Sequence, residues 1–200
     1  MYNHKPLPFD KELEGISSKT IETHHGKLYK GYVDKSNSIK ERLTDIAKSD
    51  NPEGNQTYSE LRSLKNGESF ANNGVYLHEK YFDILGGDGK STGELAEAIS
   101  AKYGSVEQFQ KYFTACAMAA RGWTILAWDA NVGELRVFNC DAHNHGGIWG
   151  AIPIITCDVY EHSYFMDTGS DRKTYIDNFF KNLNWEAANE LFRKAQELKI

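Results

Sequence analysis

Apolar positions recur at helical spacing twice in the first part of the chain and in dense strand-like runs later. After an extended Leu7-Pro8-Phe9, Ser17 and Ser18 can cap a helix with Glu22 in its first turn. The pattern runs on through Tyr29, Val33, Ile39 and Leu43, which predicts one long helix with room for a bend. The segment from Lys48 to Thr57 is polar and carries Asn51-Pro52 and Gly54, the composition of a loop. From about Ser69 a second helical pattern begins, with Phe70, Asn73, Leu77 and Tyr81 on one face. Two helices joined by a polar loop make a hairpin.

Leu85-Gly86-Gly87-Asp88-Gly89 breaks the chain, and the domain boundary is placed there, giving a helical hairpin over 1–86 and a second domain over 87–200. Ser91 and Glu94 have the spacing of a capping box opening the next helix. A helix is predicted around Val106 to Ala120. Strand-like runs follow at Trp123 to Trp128 and Leu135 to Cys140, joined by a turn at Asp129 to Gly133, and a third, buried strand at Ile152 to Cys157. Lys173 to Leu183 and Glu186 to Leu198 read as closing helices. The predicted class is α+β, with a small sheet covered by helices.

Composition narrows the function. Two hundred residues with 40% hydrophobic content can bury a substantial core. The longest apolar stretches, Ala151 to Thr156 and Trp123 to Trp128, fall far short of the roughly 20 residues a membrane span requires. The opening residues Asn3, His4, Lys5 and Pro6 lack the character of a secretory signal, so a soluble, cytoplasmic protein is expected. Cys116, Cys140 and Cys157 are odd in number, far apart and without Cys-x-x-Cys spacing, which predicts buried reduced thiols. A net charge of -5 and a pI near 5.8 argue against nucleic acid or an anionic membrane as the main partner. An anionic small substrate stays open if basic groups are local. The 12% aromatic content, partly beside histidines, fits a dry metal pocket and an ordinary aromatic core equally well.

The most informative local feature is Asp158-Val159-Tyr160-Glu161-His162 directly after the third strand. An Asp and a His four residues apart converge on one ion if the segment turns helically, although a carboxylate holding a structural histidine has the same spacing. Mixed imidazole and carboxylate ligands suit iron or manganese, whereas structural zinc more often recruits thiols. His24 lies in the first helix, where positions 24, 28 and 32 are expected to share a face, so that the Tyr32 hydroxyl leans back towards His24 and can relay protons. An interhelical core contact is the alternative role for Tyr32. His78 lies on the second helix, which an antiparallel partner can bring face to face with His24.

Together these segments resemble the iron/manganese superoxide dismutase family over nearly the whole chain. The resemblance rests on Leu7-Pro8-Phe9, Thr20-Ile21-Glu22-Thr23-His24-His25-Gly26-Lys27, Tyr32-Val33, Asn72-Asn73 ahead of His78, Gly122-Trp123, Asp158-Val159-Tyr160-Glu161-His162 and Asn184-Trp185-Glu186. It implies a helical hairpin followed by an α/β domain with a three-stranded antiparallel sheet. It also implies that His24, His78, Asp158 and His162 bind one iron or manganese ion per subunit, with solvent as fifth ligand. That ion would alternate between its +3 and +2 states while superoxide is converted to dioxygen and hydrogen peroxide. Tyr32 then resembles the tyrosine at the substrate funnel. Trp123, Tyr160 and Phe82 take the aromatic positions of the pocket, and Arg172 with Tyr175 the basic-aromatic pair behind it.

The resemblance further implies a homodimer in which Glu161 pairs with the ligand histidine of the other subunit. Leu28 and Phe165 stand where many members carry a histidine and a tyrosine that bond across that interface, and are expected near each other there. Phe82 and Tyr160 replace frequent tryptophans. His143, fifteen residues before Asp158, lies where many members carry a glutamine or its replacement, and Gly74 leaves the other glutamine position empty. His143 is therefore expected to hydrogen-bond the bound solvent and tune the ion, with a surface histidine as the alternative. Histidine here resembles iron-preferring or dual-metal variants. A non-catalytic relative and a mononuclear iron oxygenase are the competing classes.

Overall fold

The first helix does not run at one pitch. In the computed structural model, which describes residues 1–198, α1 (Ser18–Thr23) passes into a π-helical turn over His24–Tyr29 and then into α2 (Lys30–Ala47). Residues 199 and 200, the end of the expected second domain, lie outside the described residues. The wider turn advances the buried face by five residues before the normal four resume, so His24, Tyr29 and Val33 are buried in sequence. The expected stripe of 24, 28 and 32 is thereby corrected: Tyr29 takes the inward place, and Leu28 and Tyr32 are half-buried.

The second helix of the hairpin, α3 (Glu60–Asp83), starts nine residues before the predicted Ser69. Ser59 caps it, its side chain accepting from the Arg62 N–H. No residue of α3 before Ala71 is fully buried; Leu61 and Leu64, at helical spacing, are only half-buried, so the first turns carry a weak apolar signal. α2 and α3 pack as the predicted hairpin, and α3 also packs on the sheet.

The capping box at Ser91 is likewise corrected. α4 (Gly93–Tyr103) has Thr92 as its N-cap with no side-chain bond of its own. Asn189 supplies the cap instead, accepting from the Leu95 N–H at 2.8 Å and donating to the Thr92 carbonyl at 2.8 Å. α5 (Val106–Ala119) then leads to β1 (Trp123–Asp129), β2 (Glu134–Cys140) and β3 (Ala151–Asp158). The sheet is antiparallel in order β2-β1-β3, as expected. A bulge between Leu126 and Ala127 of β1, opposite Ile155 and Pro153, accommodates a proline that cannot donate to the ladder. A 3₁₀ turn over Glu161–Ser163, the short α6 (Phe165–Thr168), α7 (Arg172–Lys181) and α8 (Trp185–Glu197) complete the described chain. One hydrophobic core runs through both parts, from Tyr29, Val33 and Val75 to Trp123, Ile155, Phe179 and Phe192. No helix among the described residues is long and apolar enough to cross a membrane.

Candidate metal centre

Four elements deliver one side chain each to a single point. His24 comes from the π-helical turn, His78 from α3, Asp158 from the end of β3 and His162 from the 3₁₀ turn. One ligating atom from each lies within 4.8 Å of the other three. The Asp158 Oδ2 is 3.1 Å from His24 Nε2, 3.2 Å from His162 Nε2 and 3.6 Å from His78 Nε2. Two ligands about 2.1 Å from a shared ion, at angles of 90–120°, stand roughly 3.0–3.6 Å apart, so the cage has the right size for a first-row metal.

The protonation pattern points the same way. Asp158 Oδ1 accepts the Tyr160 N–H at 2.9 Å, leaving Oδ2 to face the imidazoles. Burial alone would push the Asp158 carboxyl up, but His162 and His24 outweigh it and hold it well below the usual carboxylate range. Burial lowers His78 well below its usual value, and its Nδ1–H donates to the Gly74 carbonyl at 2.6 Å. Its Nε2 is therefore a bare lone pair, fully buried and without a hydrogen-bond partner among the described residues. A lone pair facing a carboxylate oxygen in a dry site is repulsive unless a cation lies between them. The donor set thus fits a metal ion, held through three Nε2 atoms and one carboxylate oxygen.

An aromatic collar surrounds the cage. The Trp123 ring meets His78 edge-on at 5.1 Å, and the Phe82 ring meets His24 at 5.2 Å. Tyr160 stacks on His162 at 5.5 Å, and Tyr32 lies 5.2 Å from His78. A Cβ on residue 74 would come within 2.8 Å of the Tyr32 ring, so the glycine makes room for that tyrosine. Burial, aided by Asp158 and Tyr160, raises the Tyr32 phenol to about 12.

His143 is buried at 4% exposure, which removes the surface alternative. Trp123 Nε1–H donates to its Nδ1 at 2.8 Å, and burial lowers it to about 4. It is therefore a neutral imidazole with its proton on Nε2, 4.7 Å from Tyr32 between ring centroids.

Of the remaining predicted residues, Tyr175 donates from its hydroxyl to the Asp158 carbonyl at 2.7 Å and so braces the strand end directly. Arg172 acts further out, donating to the carbonyls of Ala120 at 2.7 Å and Ala117 at 3.3 Å at the end of α5 and to the Tyr164 hydroxyl. Glu161 and Phe165 are exposed and Leu28 half-buried. Sequence reasoning missed Tyr81, whose ring lies 5.1 Å from His24 and whose hydroxyl meets that of Tyr175 at 3.2 Å. It also missed a pocket role for Phe70, 4.5 Å from His143. Both stood in the apolar pattern of the second helix, which marked them only as core.

Comparison with known proteins adds independent findings. Residues 1–86 match the family model for iron/manganese superoxide dismutases, alpha-hairpin domain, and residues 91–191 the one for their C-terminal domain. The chain is 45% identical to an iron superoxide dismutase of Aquifex pyrophilus, with 97% of this chain and 94% of the relative covered. It is 44% identical to one of Aquifex aeolicus at the same coverage. Against a manganese superoxide dismutase of Halobacterium salinarum it is 37% identical, over 98% of this chain and 97% of the relative.

Proposed function

The chain belongs to the iron/manganese superoxide dismutase family, and from that premise we propose that it converts superoxide to dioxygen and hydrogen peroxide at one iron or manganese ion per subunit. The observation that carries this reading is the bare, buried Nε2 of His78 facing the Asp158 carboxylate within a cage of four donors. His24, His78, Asp158 and His162 would hold the ion. Once bound, it would supply reversible one-electron chemistry between its +3 and +2 states.

The rest of the work falls to the chain's own groups. Tyr32 keeps a proton on its hydroxyl throughout the physiological range, because its phenol is raised to about 12. His143 holds one on Nε2, since Trp123 occupies its other nitrogen. These are two hydrogen-bond donors beside the cage, placed to relay towards peroxide protons that are drawn from solvent. Trp123, Phe82 and Tyr160 pack their rings against the cage imidazoles, and four donors from the chain leave fewer positions for an organic co-substrate than a site of two histidines and one carboxylate, which disfavours an oxygenase. The two Aquifex relatives named for iron are more similar than the Halobacterium relative named for manganese, which aligns as fully, so we propose iron or dual-metal use.

The active unit is proposed to be a homodimer. The His162 side chain is 30% exposed, and no hydrogen bond reaches its Nδ1 among the described residues, which leaves that atom for Glu161 of a second copy. Leu28 and Phe165 would meet across the same interface, replacing a polar pair by an apolar one. Light scattering of a stable, fully active monomer would contradict the dimer. A cytoplasmic location is proposed from the three free cysteines, and the domain division from the break at residues 86–87. The function is tested by loading the purified chain with iron or manganese and following superoxide decay by stopped flow. Catalytic decay in proportion to bound ion is expected, and bound ion without decay would refute the proposal.

A further inference from the structure

The two ligands carried by helices are each followed by a residue that is tied to the same distant segment. His25, next to His24, donates from Nε2 to the Lys5 carbonyl at 2.9 Å. The His25 carbonyl in turn accepts from His4 Nε2 at 3.2 Å. Glu79, next to His78, pairs through Oε2 with the Lys5 ammonium and accepts the Tyr29 hydroxyl at Oε1 over 2.9 Å. The Tyr29 hydroxyl also accepts the Lys5 N–H at 3.2 Å, so its donor and acceptor roles are both used. Further along, Tyr2 and the Asn37 side chain exchange two hydrogen bonds of 2.8 and 2.9 Å, anchoring the segment to α2.

Tyr29 is the centre of this arrangement. It ends the π-helical turn that carries His24, it is buried, and its ring stacks on His78 at 6.3 Å with 18° between the planes. One side chain thus touches one helix-borne ligand, closes the turn bearing the other, and bonds both Lys5 and Glu79. We infer that Tyr29, Lys5 and Glu79 form a positioning clasp, with the Tyr2–Lys5 segment as its strap, that holds His24 and His78 at the spacing the ion requires. The inference rests on the metal-binding reading above. Partners outside the ligand set typically change metal affinity by roughly 10- to 100-fold when removed, because they set ligand orientation.

The test uses the full-length chain loaded with iron. It compares the wild type with Tyr29→Phe, Lys5→Met and Glu79→Gln by the rate of ion loss to a chelator and by the electron paramagnetic resonance of the ferric site. Tyr29→Phe keeps the ring and removes only the hydroxyl; it is expected to lose ion about tenfold faster, with a shifted spectrum. Lys5→Met should move both readouts the same way. Glu79→Gln, which keeps an oxygen to accept from Tyr29, should fall between it and the wild type. Loss rates and spectra indistinguishable from the wild type for Tyr29→Phe and Lys5→Met would overturn the clasp, even if their unfolding temperatures fell, since a merely structural contact moves only the latter. Lys5 is an exposed side chain, so Lys5→Met decides the matter if Tyr29→Phe does not fold. A wild type that retained no ion would instead refute the metal reading itself.

Discussion

His24 and His78 project from neighbouring helices whose relative placement depends on side chains, whereas Asp158 ends a strand whose backbone is paired and His162 follows four residues later in the 3₁₀ turn. On the sheet side, Trp123 stands opposite Asp158 in the ladder, Val159 N–H donates to the Gly122 carbonyl at 2.8 Å, and Tyr175 holds the Asp158 carbonyl. On the helix side, no backbone bond among the described residues links the ligand-bearing turns; packing of Tyr29, Phe82 and Tyr81 and the bonds through Lys5 and Glu79 do that work. Backbone ladders resist small displacements better than side-chain contacts do, because each side chain has rotamers to escape into. The sheet half is therefore a fixed platform and the helix half an adjustable jaw.

The largest effect expected is loss of a ligand from either half. Asp158→Ala and His78→Ala should each abolish metal retention through dialysis and lower superoxide removal by at least about 100-fold, with most of the fold kept. Metal analysis with circular dichroism checks both, and full metal in either variant would break the assignment. Removing the ion from the wild type should separate the halves. Amide exchange in residues 24–29 and 74–80 is expected to speed up by about tenfold or more, or ~1.4 kcal/mol of local opening, while that of 123–127 and 155–158 changes little. Equal acceleration in both would erase the contrast. Tyr175→Phe removes the donor to the Asp158 carbonyl from inside the platform and should cost about 1–3 kcal/mol by denaturant unfolding, without a change in metal stoichiometry.

The smallest effect concerns His143. Its imidazole titrates near its ordinary 6.5 when unfolded but near 4 when folded, so the unfolded chain binds the extra proton in that window. Its contribution to stability is present above pH 6.5 and is lost as pH falls towards 4. The metal-free protein should lose unfolding midpoint across that range, and His143→Gln should flatten the slope. The same variant, loaded separately with iron and manganese, should also alter the ratio of the two activities; an unchanged ratio would free His143 from any part in tuning the ion.

The strands, the hairpin and the four residues of the cage were legible because each is written in local pattern or in the ordered motifs around it. What escaped was written elsewhere. The start of α3 is only half-buried, through Leu61 and Leu64, so the apolar signal that would have marked Ser59 as a cap is weak. The cap of α4 arrives from Asn189, far along the chain, and nothing near Ser91 announces it. The π-helical turn ends at Tyr29, whose partners His78, Glu79 and Lys5 all lie outside residues 24–29 and leave no mark in the local pattern. His143 sits in the polar run Asp141 to His145 yet is buried, because Trp123 meets its Nδ1 and Tyr32 and Phe70 cover its ring.

The account stands most directly on the link between the four-donor cage and superoxide. Bound metal per chain should be measured alongside the superoxide decay rate for wild type and Asp158→Ala, each prepared at several levels of iron and of manganese loading. The account predicts that wild-type activity rises linearly with occupancy up to one ion per chain for at least one metal, while Asp158→Ala stays at the origin on both axes. A wild type that binds its ion without accelerating superoxide decay, or an Asp158→Ala protein that falls on the wild-type line, would contradict it.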